Sequence, residues 1–499
     1  VPETPSSSIL IVGGGTAGWM AAAALSRFTD RAITLVESEA IGTVGVGEAT
    51  IPQIHLFNAA LGIDEGEFLR ETRGSFKLGI EFPGWAGEGE TYMHAFGPVG
   101  HGQGLLPFHQ YWLRAKAEGL VSGTAPYSLN ERAARALRMQ RGEAGSLPYA
   151  YHFDAGLYAA YLRKYAEARG VTRTEGIVAS VEQNGENGDI TSGTLEDGDV
   201  LTADFFIDCT GFRALLVEGA LETGFEDWTH WLPCDRAMAV PCSASGDFTP
   251  YTQSIAREAG WQWRIPLQHR IGNGYVYCSE FLSDDDAADA LIKNIEGQPD
   301  GDPRPLRFTT GKRKQHWTHN CLALGLAAGF MEPLESTSIH LIQSAISRFM
   351  LMLPDGRGNP AVVAEFNRQA DFEWERIRDF LILHYWANGR EGQPFWDRCR
   401  AMELPDTLTA KIEQWQAAGF IHREHEELFT EVGWFQVLAG QGVETKGWNP
   451  MANAMPSAEL TAMLSKIEQG NERAIAAMPG HTEALRSACL AAAPQRISA

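Results

Sequence analysis

The chain has 499 residues, 44% of them hydrophobic, enough to bury a large core in roughly two to four domain-sized units. Its 41 basic residues stand against 63 acidic ones, and the formal charge of −22 would be repelled by a nucleic-acid backbone or an anionic membrane. Seven scattered cysteines without C-x-x-C spacing read as reduced, cytoplasmic thiols, not a disulfide framework or a zinc site. The opening VPETPSSS does not resemble a signal peptide, and no run approaches the ~18 apolar residues of a membrane span.

Residues 6–37 predict strand, glycine turn, helix and second strand. Gly13, Gly15 and Gly18, with Thr16 and Ala17 between them, form G-x-G-x-x-G, and Glu37 follows Gly18 by 19 residues. Such a turn lets the backbone and a helix N-terminus approach a pyrophosphate, while the acid reaches the ribose hydroxyls. In RGSFKLGIEF (73–82), strand alternation puts Phe76, Leu78, Ile80 and Phe82 on one face. Lys77, Gly79 and Glu81 fall on the other, so Lys77 is either a surface lysine on an edge strand or an ammonium with space around it. In YMHAFG (92–97), His94 and Phe96 alternate on one face, as a core pair or as a clamp for a flat ring.

Residues 176–206 predict a meander with Asn-Gly and Asp-Gly turns, and residues 204–216 a further apolar strand ending at a glycine. GWQWRIPL (260–267) alternates Trp261, Trp263 and Ile265 against Gln262 and Arg264, a flat aromatic wall just ahead of Pro266. YVYCSEF (275–281) adds strand to a mixed sheet. A third apolar strand opens CLALGLAAGFMEPLEST (321–337), and three such segments favour FAD over NAD. An amphipathic helix follows with Ile339, Ile342, Ile346, Phe349 and Met350 on its apolar stripe, and Ser336 or Thr337 is its natural N-cap. Its start suits ordinary capping or a small anion. From about Pro360 the chain turns helical.

GGGTAGW (13–19), VGVGEATIP (44–52), GSFK (74–77), YMHAFG (92–97), WQWRIP (261–266) and EPLEST (332–337) together resemble the flavin-dependent tryptophan halogenase family over nearly the whole chain. The resemblance implies an α/β fold: an FAD-binding, glutathione-reductase-like Rossmann-type parallel sheet, an added mixed β-sheet and a helical C-terminal part. It implies a flavin and halogenation core over residues 1–359 and a helical subdomain over 360–499 that covers the substrate. In the implied chemistry, reduced FAD and oxygen form a C4a-hydroperoxide, a halide (chloride or bromide) attacks it, and hypohalous acid passes to a lysine that presents the halogen to an aromatic carbon. By resemblance Lys77 is that lysine and Glu335 the nearby carboxylate, Thr337 and Ser338 the halide site, and His94 and Phe96 the arene stack. Residues 38–50, including Glu48, match a mobile strap, and Val178, Leu326 and Ile339 match other FAD contacts. Trp261, Trp263, Ile265 and Pro266 match the wall between flavin and substrate. A separate flavin reductase would supply reduced FAD.

Tryptophan-specific members carry a Tyr-Tyr pair, a Glu and a Phe-Trp pair that hold the substrate's amino-acid end. Here no tyrosine follows Tyr385, and Leu428 and Phe429 stand where Phe-Trp is expected. A more open site for free indole or another electron-rich arene is expected. The enzyme alternative is a flavin-dependent aromatic monooxygenase, and the non-enzyme alternative a flavin-binding scaffold.

Overall fold

A computed structural model describes residues 7–41, 47–142, 146–244, 247–354 and 358–491. Two compact units emerge, each drawing on three stretches of chain. The first takes Val1–Gly74, Phe153–His230 and Phe308–Trp374; the second takes Ser75–His152, Trp231–Arg307 and Glu375–Ala499. The helical character expected from residue 360 is observed, beginning with the helix Pro360–Trp386. The units themselves interleave along the chain instead of meeting at that residue.

The first unit is built on a six-stranded sheet in the order Trp317–Thr318, Cys321–Ala323, Phe205–Asp208, Ile9–Val12, Ile33–Glu37, Thr172–Glu175, parallel except for its first pair. The strands Ile9–Val12 and Phe205–Asp208 are buried on both faces, which explains their unbroken apolar runs. Asp208 ends its strand fully buried, accepting from the Leu216 and Val217 amides at 2.8 and 2.9 Å and from both Thr210 donors. That carboxylate folds the DCTGFRALL turn back on itself. The expected meander forms a separate antiparallel sheet of Val178–Gln183, Ile190–Leu195 and Val200–Thr202. Its Asn-Gly and Asp-Gly turns put Gly188 and Gly198 at positive φ. Glu48 lies half-buried on the short strand Gly47–Ala49, and loss of hydration pushes its carboxyl up to about 7.

The second unit holds a seven-stranded mixed sheet in the order Arg304–Arg307, Arg236–Ser243, Arg270–Tyr277, Gly260–Pro266, Thr252–Arg257, Gly79–Pro83, Thr91–Ala95. Its one parallel pair joins Thr252–Arg257 to Gly79–Pro83. The stretch RGSFKLGIEF is not the single strand its alternation suggests. It breaks at Leu78 into Ser75–Lys77, which pairs antiparallel with Ala150–Asp154, and Gly79–Pro83, which joins the large sheet. The break follows from hydrogen bonding: the Leu78 amide donates to the Pro250 carbonyl at 2.7 Å and its carbonyl accepts from the Phe96 amide at 2.8 Å.

The wall strand Gly260–Pro266 is central and buried along its full length. Gln262 and Arg264 are therefore also enclosed: Arg257 donates to the Gln262 side chain at 2.7 and 2.9 Å, and Arg264 pairs with Glu296 at 2.9 Å. Opposite the wall residues the neighbouring strand carries glycine, Trp263 facing Gly274 and Ile265 facing Gly272. A Cβ on Gly274 would lie 2.0 Å from the Trp263 ring, so the indole rests on bare backbone.

Among the described residues no helix is long and apolar enough to cross a membrane, and no cluster of His, Cys, Asp or Glu is arranged to hold a metal ion.

Two outcomes follow. Gly274→Ala should displace the Trp263 indole and cost about 1–3 kcal/mol of stability by overpacking, read as a lower melting temperature with altered tryptophan fluorescence; unchanged melting would contradict the packing described. For Glu48, the fold holds the proton more tightly than the unfolded chain does, so ionising it costs stability progressively as pH rises from 4.5 through about 7. Glu48→Gln should therefore stabilise the protein above pH 7 and leave it unchanged below pH 4.5 in thermal melts.

Candidate active site

In the first unit the glycine turn is pressed against its neighbours so closely that side chains are excluded. Gly13, at φ +109°, would place a Cβ 2.2 Å from the Cys209 carbonyl oxygen, and Gly18 one 1.9 Å from the Gly13 carbonyl oxygen. A Cβ on Gly15 would meet nothing within 4 Å, so the turn presents an open side there. Gly15 is the N-cap of the helix Thr16–Phe28, whose first turn has no side-chain cap and no acidic residue. Backbone donors and the positive helix end thus face a space fit for an anion, and this cradle fits the pyrophosphate of FAD. Glu37 lies over the same turn, its Oε2 where a Gly14 Cβ would intrude. It accepts from Arg173 at 2.6 Å and from the Trp19 indole at 3.3 Å, contacts that fix the carboxylate's orientation.

Gly325, at φ +61°, brings the turn Gly325–Ala327 against Ala17, and Leu326, the exposed residue of that turn, follows it directly. Val178 is buried two residues past Gly176, whose amide donates to the Glu37 carbonyl at 2.9 Å. Ile339 is buried in the first turn of the helix Ser338–Leu351. Of the expected strap at 38–50, residues 42–46 lie outside the described residues.

The EPLEST stretch forms a short 3-10 turn, Pro333–Glu335, then a left-handed Ser336 at φ 59°, then the helix Ser338–Leu351. Thr337 is the N-cap by position, but its hydroxyl makes no capping bond and the first turn carries no acid. The Thr337 hydroxyl therefore does not supply the side-chain cap expected of it, and the backbone at Thr337 is already helical. Glu335 and Thr337 are each 1% exposed, Ser338 is half-buried, and Glu332, which the sequence did not single out, is fully buried.

In the second unit Lys77 is fully buried, which removes the surface-lysine alternative. Its Nζ lies 5.4 Å from the centroid of the Phe96 ring, a cation–π contact. Phe96 sits one residue beyond the strand Thr91–Ala95, so it and His94 have different neighbours. The His94 ring lies 5.5 Å from Phe380 and 6.0 Å from Phe429. Phe380 and Phe429 are themselves stacked at 3.8 Å, with Trp434 edge-on to Phe380 at 4.9 Å. The helix Glu431–Gly440 is held to the edge strand by Gln436, whose amide bonds both the N–H and the C=O of Ala95 at 3.1 and 3.0 Å. Gly433 allows the approach, since a Cβ there would lie 3.0 Å from His94 Nε2. Sequence periodicity points to neither Phe380 nor Gln436, because both act across elements distant in the chain. In the wall, Trp261 and Trp263 have ring centroids 6.3 Å apart, and these two, Ile265 and Pro266 are all buried.

The tryptophan halogenase family model matches residues 8–457. Tryptophan 7-halogenase RebH of Lentzea aerocolonigenes is 34% identical, over 96% of this chain and 98% of its own length. Among solved structures, a flavin-dependent halogenase from Xanthomonas campestris superposes with a TM-score of 0.95 at 46% identity, covering 97% of this chain and 98% of that one. BrvH, a flavin-dependent halogenase from Brevundimonas sp. BAL3, gives 0.93 at 42% identity, covering 97% and 99%. Matches of that extent, with a fitting nucleotide cradle, place this chain in the tryptophan halogenase family, as an enzyme of the flavin-dependent halogenase class.

Proposed function

We propose that this halogenase transfers chloride- or bromide-derived halogen to an electron-rich arene without an amino-acid group, free indole being the type, with Lys77 as the residue that presents it. The observation that carries the reading is the buried Lys77 amine over the Phe96 ring face. A flavin monooxygenase has no use for such a lysine. When bound and reduced, the flavin supplies with oxygen the two-electron oxidation of halide to hypohalous acid.

The chain's own residues do the rest. Gly13, Gly15, Thr16, Ala17, Gly18 and Glu37 hold the nucleotide, with Glu48, Val178, Leu326 and Ile339 as further contacts. The helix start at Thr337 and Ser338 favours the halide. At Lys77 the amine either takes halogen from hypohalous acid, with release of water, or donates a hydrogen bond that polarises it. The arene carbon then forms its bond to halogen as the N–X or O–X bond breaks. Glu335 polarises the oxidant or accepts the ring proton. Trp261, Trp263, Ile265 and Pro266 keep the arene from the flavin. Reduced FAD comes from a separate reductase, and the seven free cysteines suit the cytoplasm.

The substrate preference rests on two commitments near Phe429. Its ring is already stacked on Phe380, and His94 and Phe96 provide the remaining aromatic surface. Glu427, two residues earlier, has its carboxylate bound to Lys411 at 3.0 Å and within 3.5 Å of Arg376, so its charge is spent internally and not offered to a substrate ammonium. Desolvating a substrate ammonium while Glu427 stays engaged with Lys411 is costly, and free indole avoids that cost.

With a flavin reductase, FAD, NADH and chloride or bromide, indole should be halogenated with kcat/KM at least about tenfold above that for L-tryptophan, as about 1.4 kcal/mol of unmet desolvation implies. Tight, specific L-tryptophan binding in isothermal titration would overturn the preference. Lys77→Ala should bind FAD like the wild type and yield no halogenated product; retained turnover would remove Lys77 from the chemistry.

A further inference from the structure

The strand that carries Lys77 is tied down by a chain of buried hydrogen bonds. Ser75 lies two residues before Lys77, so both side chains fall on one face of the strand. The cross-strand partners on that face are His152, opposite Ser75, and the small Ala150, opposite Lys77. Ser75 Oγ donates to the Pro266 carbonyl, at the end of the wall strand, at 2.8 Å. Ser75 Oγ also lies 3.1 Å from His152 Nδ1, and His152 Nε2 lies 3.0 Å from Thr252 Oγ1. Ser75 and His152 are fully buried and Thr252 is 3% exposed.

The direction of this chain is determined by chemistry. A carbonyl only accepts, so the single Ser75 proton goes to Pro266, and Ser75 must accept from His152 Nδ1–H. With its proton on Nδ1, a neutral imidazole leaves Nε2 to accept from the Thr252 hydroxyl. Every group is satisfied when His152 is neutral and in this tautomer. Burial, then the positive charge of Lys77, then His481 and Arg264, hold the His152 pKa well below its ordinary value. His481 is itself lowered to about 4 by burial and bonds the Phe248 carbonyl through Nδ1 at 2.9 Å. Arg264 is engaged with Glu296.

We propose that His152 is a positioning residue for halogen transfer: as a neutral Nδ1–H imidazole it locks the strand Ser75–Lys77 to Pro266 of the wall strand, and so fixes where the Lys77 amine is presented without adding a second charge beside it. The inference rests on the reading of Lys77 as the halogen-presenting residue.

A misplaced lysine should leave oxidant formation intact and lose its capture. The measurement is the partition of oxidising equivalents between halogenated indole and free hypohalous acid trapped by a soluble scavenger, with FAD affinity and melting temperature recorded alongside. In His152→Leu, halogenated indole should fall about tenfold to a hundredfold while trapped oxidant rises. His152→Asn, whose amide N–H can replace Nδ1–H toward Ser75, should recover most of the product. If His152→Leu does not fold, Ser75→Ala and Thr252→Val carry the same readout, and Ser75→Ala should show the larger leak because it cuts the link to Pro266. Product and trapped oxidant falling in proportion, or product yield unchanged, would overturn the role of His152. Failure of the underlying reading looks different: the wild type gives no halogenated indole, or Lys77→Ala gives as much as the wild type.

Discussion

Holding a lysine side chain out of water is expensive, and the full burial of Lys77 sets the terms for everything packed around it. The Phe96 ring face offers the amine quadrupolar compensation, of the order of 0.5–2 kcal/mol in such contacts. His152 shares the strand face with Lys77 and stays neutral there. Ala150, across the ladder, leaves room beside the lysine stem. The break at Leu78 serves the same end. By leaving one sheet and entering another within a single residue, the chain anchors Lys77 at both sides, through Ser75 before it and through Leu78 bonded to Pro250 and Phe96 after it. Rigidity of this kind suits the halogen-presenting role proposed for the amine.

The same economy of space recurs wherever a bulky or charged group must sit close to backbone. Trp263 rests on Gly274, Glu37 on Gly14, His94 beside Gly433, and the glycine loop on the Cys209 carbonyl. At each place a side chain or a turn takes the volume a Cβ would fill. The glycine cradle and the helix start at Thr337 both present a helix N-terminus without a side-chain cap or an acid in the first turn, an arrangement that suits anions. The strand that carries Lys77 is instead flanked by an aromatic ring face and a buried hydrogen-bond chain.

Much of this was legible in the sequence because it is local. The G-x-G-x-x-G turn with Glu37 has its meaning within about thirty residues, and the three parallel strands at residues 9, 205 and 321 form as their apolar runs suggested. The alternation of Trp261, Trp263 and Ile265 told truly of a shared face, yet it could not say that the opposite face is buried as well, since burial of Gln262 and Arg264 depends on Arg257 and Glu296. Alternation misled at Leu78, where pairing with two different sheets overrides a continuous period-two pattern. His152, Phe380 and Gln436 were invisible because a lone histidine, phenylalanine or glutamine acquires its role only from partners 77, 49 and 341 residues away. The glycines at 272 and 274 were the one local signal left unread: small residues in alternation mark a surface on which something large lies.

The fate of the oxygen atoms tests the central claim most directly. With isotopically heavy oxygen gas, a flavin reductase, bromide and indole, halogen transfer through Lys77 should give bromoindole by mass spectrometry with no heavy oxygen in the product, and no indole product when bromide is left out. Hydroxylated indole carrying heavy oxygen, formed equally well without halide, would contradict it.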